Sequence, residues 1–193
     1  MRFSETKLAG AFIIEPDRFD DHRGSFLRGW CRRELTKQGL NFDFVQSNIS
    51  LNPKRGTLRG MHWQVPPHCE VKLVRCVKGA VLDVIVDIRE ESPTRWQWIG
   101  VELTGENFRS LYIPEGFAHG FQTLTDDVEV TYQVTGYYDA QSARGLRYDD
   151  PAIGIDWPLK VTAISDADAS WPLLAIPTAE RRREGRASVE NAA

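Results

Sequence analysis

The segment VKLVRCVKGAVLDVIVDI, which runs from Val71 to Ile88, decides the fold class. It contains two runs rich in β-branched residues, Val71 to Lys78 and Val81 to Ile88, and a Lys78-Gly79 turn separates them. Short β-branched runs that meet at a glycine turn are typical of paired antiparallel strands. We therefore expect a fold built on β-strands.

Runs of the same kind continue on both sides of this segment. They are Phe12 to Ile14, Gly24 to Trp30, Phe42 to Leu51, Trp96 to Leu103, Phe108 to Ile113, Phe117 to Leu124 and Val128 to Val134. Only Cys31 to Gln38, which Gly39 ends, predicts a helix, and it is short. Many short strands with turn residues between them predict an antiparallel sandwich or barrel.

The composition is that of an ordinary globular protein of 193 residues, with 41% hydrophobic residues. The net charge of −3 disfavours nucleic acid and anionic membranes as partners, because both need a basic surface. Neither an apolar leader nor an apolar run of about 18 residues occurs, so we expect no membrane span. We predict one domain over residues 1–177 and a mobile, charged C-terminal tail over residues 178–193.

The three cysteines form no C-x-x-C pair, and their number is odd. A disulfide framework or a thiolate zinc site is therefore disfavoured, and reduced thiols in a cytoplasmic protein fit better. His62, His68 and His119 form no H-x-H pair, and no carboxylate lies nearby at ligand spacing, so a metal centre is disfavoured.

Several polar residues stand among apolar neighbours in the sequence, and each of them has a functional and a structural interpretation. Lys72 is either a functional residue or an edge-strand lysine. His62 and His119 are each a candidate base beside an anion site or a satisfied core histidine. Tyr132 is a candidate proton donor or a structural phenol.

Charged residues leave the same choice open. Asp83 and Asp87 are either carboxylates that support a site or members of a solvent face. Arg23, Arg59 and Arg75 are candidates for bidentate phosphate contacts or surface residues.

Six blocks of sequence, taken together and in order, are far more specific than any single residue. They are Asp21 to Phe26 (DHRGSF), Leu58 to Gln64 (LRGMHWQ), Lys72 to Cys76 (KLVRC), Ile113 to Phe121 (IPEGFAHGF), Tyr137-Tyr138 and Gly154 to Pro158 (GIDWP). With these blocks the chain resembles the dTDP-4-dehydrorhamnose 3,5-epimerase family from about Gly10 to Pro172. The resemblance implies an all-β, cupin-like jelly-roll barrel with a few short helices, without metal or cofactor.

The resemblance also implies roles for single residues. His62 matches the general base, Tyr132 the acid on the other face of the sugar, Lys72 the group that stabilises the enolate, and Asp168 the carboxylate partner of the histidine. The positions that match ligand-binding residues are Arg23, Arg28, Gln46, Asn48, Arg59, His119 and Tyr138. The implied ligand is a nucleotide-diphosphate 4-keto-6-deoxysugar. The implied assembly is a homodimer in which Arg23 reaches the pocket of the partner.

Three positions depart from the family pattern at its nucleotide end. Arg28 and Ala143 stand where the family commonly has glutamates, and Ala167 stands where it has a lysine. The expected activity is epimerisation at C3, C5 or both carbons of a nucleotide-linked 4-keto-6-deoxyhexose, in deoxysugar biosynthesis. The alternatives are a C3-only or C5-only epimerase or a related isomerase, an enzyme for another nucleotide sugar such as a CDP-linked one, a non-catalytic sugar-binding jelly roll, and a metal-dependent cupin oxygenase.

Overall fold

Two six-stranded β-sheets make up most of the structure, a computed structural model that describes residues 1–174 and 189–190. The strands are β1 (Arg2–Glu5), β2 (Phe12–Glu15), β3 (Arg18–Asp21), β4 (Gly24–Leu27), β5 (Gln46–Asn52), β6 (Leu58–Gln64), β7 (Lys72–Lys78), β8 (Ala80–Asp87), β9 (Trp98–Thr104), β10 (Ser110–Ile113), β11 (Phe117–Thr123), β12 (Val128–Val134), β13 (Ala143–Gly145) and β14 (Val189–Glu190). The helices of the described residues are α1 (Arg32–Lys37) and α2 (Asp166–Ala169).

The order of the strands is that of a jelly roll. The first sheet runs β1-β2-β10-β7-β12-β5, and the second runs β13-β6-β11-β8-β9-β14. From β9 to β12, each successive strand lies in the sheet opposite to that of the strand before it. Neighbouring strands within the two sheets are antiparallel, except that β14 is parallel to β9. Strands β3 and β4 form a separate two-stranded hairpin. The prediction of an all-β jelly roll with short helices is confirmed.

The strands of the deciding segment, β7 and β8, begin and end within a residue or so of their predicted limits. The expected strand from Phe42 to Leu51 is wrong in its first part, because β5 begins only at Gln46. Phe42 and Phe44 instead pack against the outside of the first sheet. The sequence did not predict β6, since most of its residues are buried and its hydrophobicity does not alternate.

The core fills the space between the sheets and continues over both outer faces. Val74, Ile85 and Val130 belong to the central cluster between the two sheets. The second sheet is covered on its outside by apolar residues that follow β13, including Leu146 and Ile153. The first sheet is covered by α1 and the segment after it, and Leu35 of α1 is fully buried there.

The predicted tail of residues 178–193 lies outside the described residues, apart from β14, which pairs in parallel with Gly100 and Val101. No helix in residues 1–174 has the length and apolar character needed to cross a membrane. Cys31, Cys69 and Cys76 are all unpaired thiols.

Candidate active site

An open cavity of about 590 Å³ lies between the two sheets. Side chains from β5, β7 and β12 of the first sheet, from β6 and β11 of the second, and from residues 163–168 line it. Six of the residues singled out from the sequence meet there: Arg59, His62, Lys72, His119, Tyr132 and Asp168. The cavity is the candidate active site.

His62 and Asp168 form a hydrogen-bonded pair on the wall made by the second sheet. His62 Nε2 lies 2.6 Å from Asp168 Oδ1, and the His62 side chain is 46% exposed. Asp168 is buried on α2, and its second carboxylate oxygen accepts the backbone N–H of Gly60 at 3.0 Å. Ser165, the N-cap of α2, accepts the backbone N–H of Asp168 and so fixes this short helix.

The protonation of Asp168 decides which nitrogen of His62 is basic. Burial by itself raises the pKa of Asp168, but the hydrogen bonds from His62 and from the Gly60 N–H outweigh it, and the pKa stays below its ordinary value of 3.8. An ionised carboxylate only accepts hydrogen bonds, so Nε2 of His62 carries the hydrogen. Nδ1 is therefore the nitrogen that can take a proton.

Two glycines let the strands that carry the histidines approach each other. His62 of β6 stands opposite His119 of β11, and the register of the pair shifts between His119 and Phe121. A β-carbon on Gly60 would lie 2.6 Å from the Cα of Gly120, and Gly60 has a φ of +119°, which other residues rarely adopt. The LRGMH block thus needs its glycine, two residues before the histidine, for backbone packing.

Lys72 and Tyr132 lie on the facing wall, which the first sheet supplies. Their strands β7 and β12 are neighbours, and Tyr132 pairs with Val74. The Lys72 ammonium lies 3.1 Å from Glu70 Oε1, and the two side chains are only 11% and 13% exposed. Burial raises the pKa of the Tyr132 phenol above 10.0, the nearby charge of Glu70 raises it further, and Arg59 acts in the opposite direction. The phenol is therefore protonated at neutral pH.

Two further cavity residues are held by buried polar partners. His119 Nε2 lies 2.8 Å from Asp83 Oδ1, and Asp83 is fully buried. Arg59 Nε donates to the Oδ1 of buried Asn52 at 2.7 Å. Asp83 therefore supports a site residue rather than facing solvent. Asp87 is also buried, but it accepts hydrogen bonds from Arg89 and two hydroxyls outside the cavity.

The remaining predicted ligand-binding residues lie outside the cavity of the single chain. Arg23 in the β3–β4 turn is exposed and bonds to Asp21 two residues away. Arg28 forms an ion pair with Glu34 of α1 at 3.2 Å. Gln46 donates to Asn48 along the edge strand β5, and Tyr138 is 75% exposed. Arg75 packs over the ring of Phe108, away from the cavity.

Sequence reasoning missed the partners Glu70 and Asn52. Glu70 stands two residues before Lys72, and residues two apart in an extended chain share a face, which is the signal that could have found it. Asn52 lies seven residues before Arg59, and no local pattern connects them.

The arrangement places a proton acceptor on one wall, a phenol on the other, and an ammonium group beside the phenol. Such a set can remove a proton from carbon, stabilise the resulting oxyanion and return a proton from another direction. Within residues 1–174 no group of three or more His, Cys, Asp or Glu side chains is placed to hold a metal ion.

Comparisons with known proteins identify the family to which the chain belongs. The family model of dTDP-4-dehydrorhamnose 3,5-epimerase matches residues 5–175. The dTDP-4-dehydrorhamnose 3,5-epimerase of Sinorhizobium fredii is 44% identical over 175 residues, which cover 90% of each chain.

Two solved structures have the same fold. One is the dTDP-6-deoxy-D-glucose-3,5-epimerase of Legionella pneumophila in complex with dTDP-4-keto-L-rhamnose, with a TM-score of 0.85, 40% identity, and coverage of 93% of this chain and 96% of that one. The other is a 3'-monoepimerase from Streptomyces bikiniensis in complex with dTDP-quinovose, with a TM-score of 0.81, 34% identity, and coverage of 92% and 89%. The chain is an isomerase, and it belongs to the dTDP-4-dehydrorhamnose 3,5-epimerase family.

Proposed function

We propose that this enzyme inverts C3 and C5 of a nucleotide-linked 4-keto-6-deoxyhexose by proton transfer, without a cofactor. The observation that carries the proposal is the position of the His62–Asp168 pair and the Tyr132 phenol on facing walls of one cavity. Inversion at a carbon next to a ketone needs a base on one face of the sugar and an acid on the other.

Each inversion proceeds in two proton transfers. His62 Nδ1 removes the proton from the carbon next to the C4 ketone, and the electron pair moves to the C4 oxygen to give an enolate. The Lys72 ammonium stabilises this oxygen by a hydrogen bond. Tyr132 then gives its proton to the opposite face of the carbon while the C4 ketone forms again. Exchange of protons with solvent returns the imidazolium to imidazole and the phenolate to phenol.

Asp168 acts through His62 in this scheme. It accepts the Nε2–H, keeps Nδ1 basic, and stabilises the imidazolium that forms when the proton is taken. Because its pKa stays low, it remains a carboxylate throughout.

A second candidate is inversion at C3 only. The similarity to the 3'-monoepimerase from Streptomyces bikiniensis favours it, since the structure of that enzyme matches 92% of this chain. The two candidates share the same base and acid, and they differ in which carbons of the sugar reach them.

Incubation with dTDP-, CDP- and GDP-linked 4-keto-6-deoxyglucose in D₂O tests the proposal. Deuterium at both C3 and C5 with inverted configuration supports the 3,5-epimerase, and deuterium at C3 alone supports the second candidate. Tyr132→Phe should retain exchange better than inversion, because the variant loses the acid and keeps the base. Absence of exchange from all three substrates would show that the proposal is wrong.

We also propose a homodimer in which the β3–β4 hairpin completes the nucleotide end of the partner's cavity. The hairpin is hydrogen-bonded to neither large sheet, and its Phe19 and Phe26 are 64% and 66% exposed. Large exposed aromatic side chains mark a surface that binds another molecule. The same hairpin carries Arg23, which is suited to contact phosphate.

Mixing two variants tests the contribution from the partner. Arg23→Ala and His62→Ala subunits, mixed equally, should recover about a quarter of wild-type activity, because half of the dimers are mixed and each of these has one intact site. If Arg23 served its own subunit, each mixed dimer would have one defect in each site and mixing would recover nothing. Sedimentation as a monomer at micromolar concentration would also contradict the dimer.

We propose that the enzyme acts in the cytoplasm, in deoxysugar and polysaccharide biosynthesis. The three unpaired cysteines, one of them buried, support a reducing compartment. Cell fractionation of the native host tests the location, and recovery of the enzyme in an extracytoplasmic fraction would contradict it.

A further inference from the structure

Glu70 lies directly behind the candidate active site, and the proposed reaction does not use it. Its carboxylate contacts the Lys72 ammonium at 3.1 Å, and 13% of its side chain is exposed. Lys72 lines the cavity and Glu70 does not. A nearly buried carboxylate of this kind is costly unless it has a partner, so the pair is a built feature of the wall.

The backbone around Glu70 is fastened to the segment that follows Tyr132. The N–H of Val71 donates to Thr135 Oγ1 at 2.9 Å, and the N–H of Thr135 donates to the Val71 carbonyl at 3.1 Å. Gly136 comes so close that a β-carbon on it would lie 3.3 Å from the Cβ of Glu70. Glu70 and Tyr132 are thus held at a fixed relative position.

A buried glutamine ties the same two segments together from the second sheet. Gln64, at the end of β6, donates from its amide to the carbonyls of His68 at 3.0 Å and Tyr137 at 3.1 Å. Its Oε1 accepts the N–H of Asp139 at 2.7 Å. The loop that carries Glu70 is therefore anchored on two sides.

An ammonium group has three hydrogens to donate. When Glu70 accepts one of them from behind, the direction of the other two is limited, and the charge of Lys72 is compensated inside the protein. Without Glu70, no other carboxylate in residues 1–174 forms an ion pair with the long, flexible side chain of Lys72. Precise placement matters because a misplaced donor stabilises an oxyanion poorly.

We propose that Glu70 is a positioning residue, which holds the Lys72 ammonium against the cavity wall and supplies the negative charge that faces Tyr132. The inference rests on the proposed function, because it gives the pair a role in the same reaction. Glu70 touches no substrate in this scheme and acts through its two neighbours.

The charge of Glu70 has a consequence for the pH profile. Burial raises the pKa of Tyr132 most, the charge of Glu70 raises it next, and Arg59 lowers it. The other titratable side chains around the same cavity are His62 and His119 on the second sheet, Lys72 on the first, and Asp168 on α2. Removal of the Glu70 charge lowers the pKa of Tyr132, so the phenol loses its proton at a lower pH.

The test compares Glu70→Gln with the wild type. We expect kcat to fall between about 10-fold and 10²-fold, with little change in KM. We expect the alkaline limb of the kcat profile to move to lower pH. Glu70→Asp keeps the charge and shortens the reach, so it should retain the position of the limb and recover part of kcat.

Glu115→Gln is the matched control. Glu115 is exposed, and its charge acts on Cys69 and Tyr112 rather than on Tyr132. The control should therefore keep both the wild-type kcat and the wild-type alkaline limb. An alkaline limb that moves equally in both glutamine variants would overturn the inference, because the loss of any carboxylate charge would then produce the same shift.

A titration that needs no turnover separates this inference from the proposed function. The phenolate absorbance of Tyr132 is obtained by subtraction at each pH: the absorbance of the protein that also carries Tyr132→Phe is subtracted from that of the protein that keeps Tyr132. Glu70→Gln should titrate at lower pH than the wild type. An active wild type whose kcat and titration are unchanged in Glu70→Gln would overturn the inference. A wild type that inverts no nucleotide sugar would overturn the proposed function, and the titration would still test the charge facing Tyr132.

Discussion

The cavity holds six of the residues expected to act on the substrate, the β3–β4 hairpin holds Arg23, and the side chains of the two regions are fixed in different ways. In the cavity, His62 is bound to Asp168, which is 106 residues away in sequence and buried. In the hairpin, the partner of Arg23 among the described residues is Asp21, two positions away, and the Arg23 side chain is 78% exposed. One region is held by long-range contacts and the other by local ones.

This difference indicates that the two regions have different roles in the reaction. Side chains with buried partners keep the geometry that proton transfer needs before any ligand arrives. Exposed side chains with local partners can change partner when a phosphate or a second subunit approaches. Substitutions in the cavity should therefore lower kcat, whereas substitutions in and after the hairpin should change KM and the choice of nucleotide.

The largest effect is expected from His62→Ala. Loss of the base should reduce proton exchange at both carbons by about 10²- to 10⁴-fold, because the other histidine of the cavity, His119, is buried and paired with Asp83. Deuterium incorporation from D₂O measures the loss. His68→Ala, a change of an exposed histidine after β6, is the control and should exchange normally. Wild-type exchange in His62→Ala would contradict the mechanism.

Lys72→Ala should cost about 10²-fold or more in kcat, on the scale of a lost oxyanion donor. The effect should appear in kcat rather than KM, because the enolate oxygen carries its charge only during the reaction. Steady-state kinetics measure this division. The matched control is Lys78→Ala at the exposed end of the same strand. A change confined to KM would assign Lys72 to ground-state binding.

Asp168→Asn should lower stability at neutral pH by about 1 to 3 kcal/mol, since a buried charged acceptor is lost. The pKa of Asp168 is lower in the folded protein than its ordinary value of 3.8. The carboxylate therefore contributes to the free energy of unfolding above pH 3.8, and this contribution disappears as the pH falls through the folded-state pKa. The difference from wild type in urea unfolding should narrow in that acidic range. Asp166→Asn, on the exposed side of α2, should show no such convergence.

The smallest effect is expected from Arg28→Glu. Arg28 lies just after the hairpin, and its exposed ion pair with Glu34 is worth little for stability. A carboxylate can accept the N3–H of thymine, whereas an arginine only donates, so we expect the wild type to be less selective for thymidine than its relatives. Arg28→Glu should shift preference towards dTDP by a few-fold, on the scale of a single exposed contact.

Competition between dTDP- and CDP-linked substrates measures this shift. Arg33→Glu makes the same charge change at an exposed position of α1 and serves as the control. Exclusive use of dTDP by the wild type, unchanged in Arg28→Glu, would contradict this role of position 28.

The sequence alone determined the fold class and the chemical types in the site. β-Branched runs around Val71 to Ile88 define strands locally, since side-chain alternation and turn residues act over a few positions. The same local rules failed for β6, because most of Leu58–Gln64 is buried without alternation and the strand contains a glycine that lets β11 approach. Strand patterns are clearest where one face meets water.

Only the tertiary structure decided which side chains act together. Without the family resemblance, nothing near His62 points to Asp168, because the two meet through the packing of α2 against β6. Asn52 beside Arg59, Asp83 beside His119 and Glu70 behind Lys72 are likewise set by strand pairing and burial. A sequence states which groups are available, but hydrogen-bond partners are chosen by three-dimensional proximity and by the need to satisfy buried polar groups.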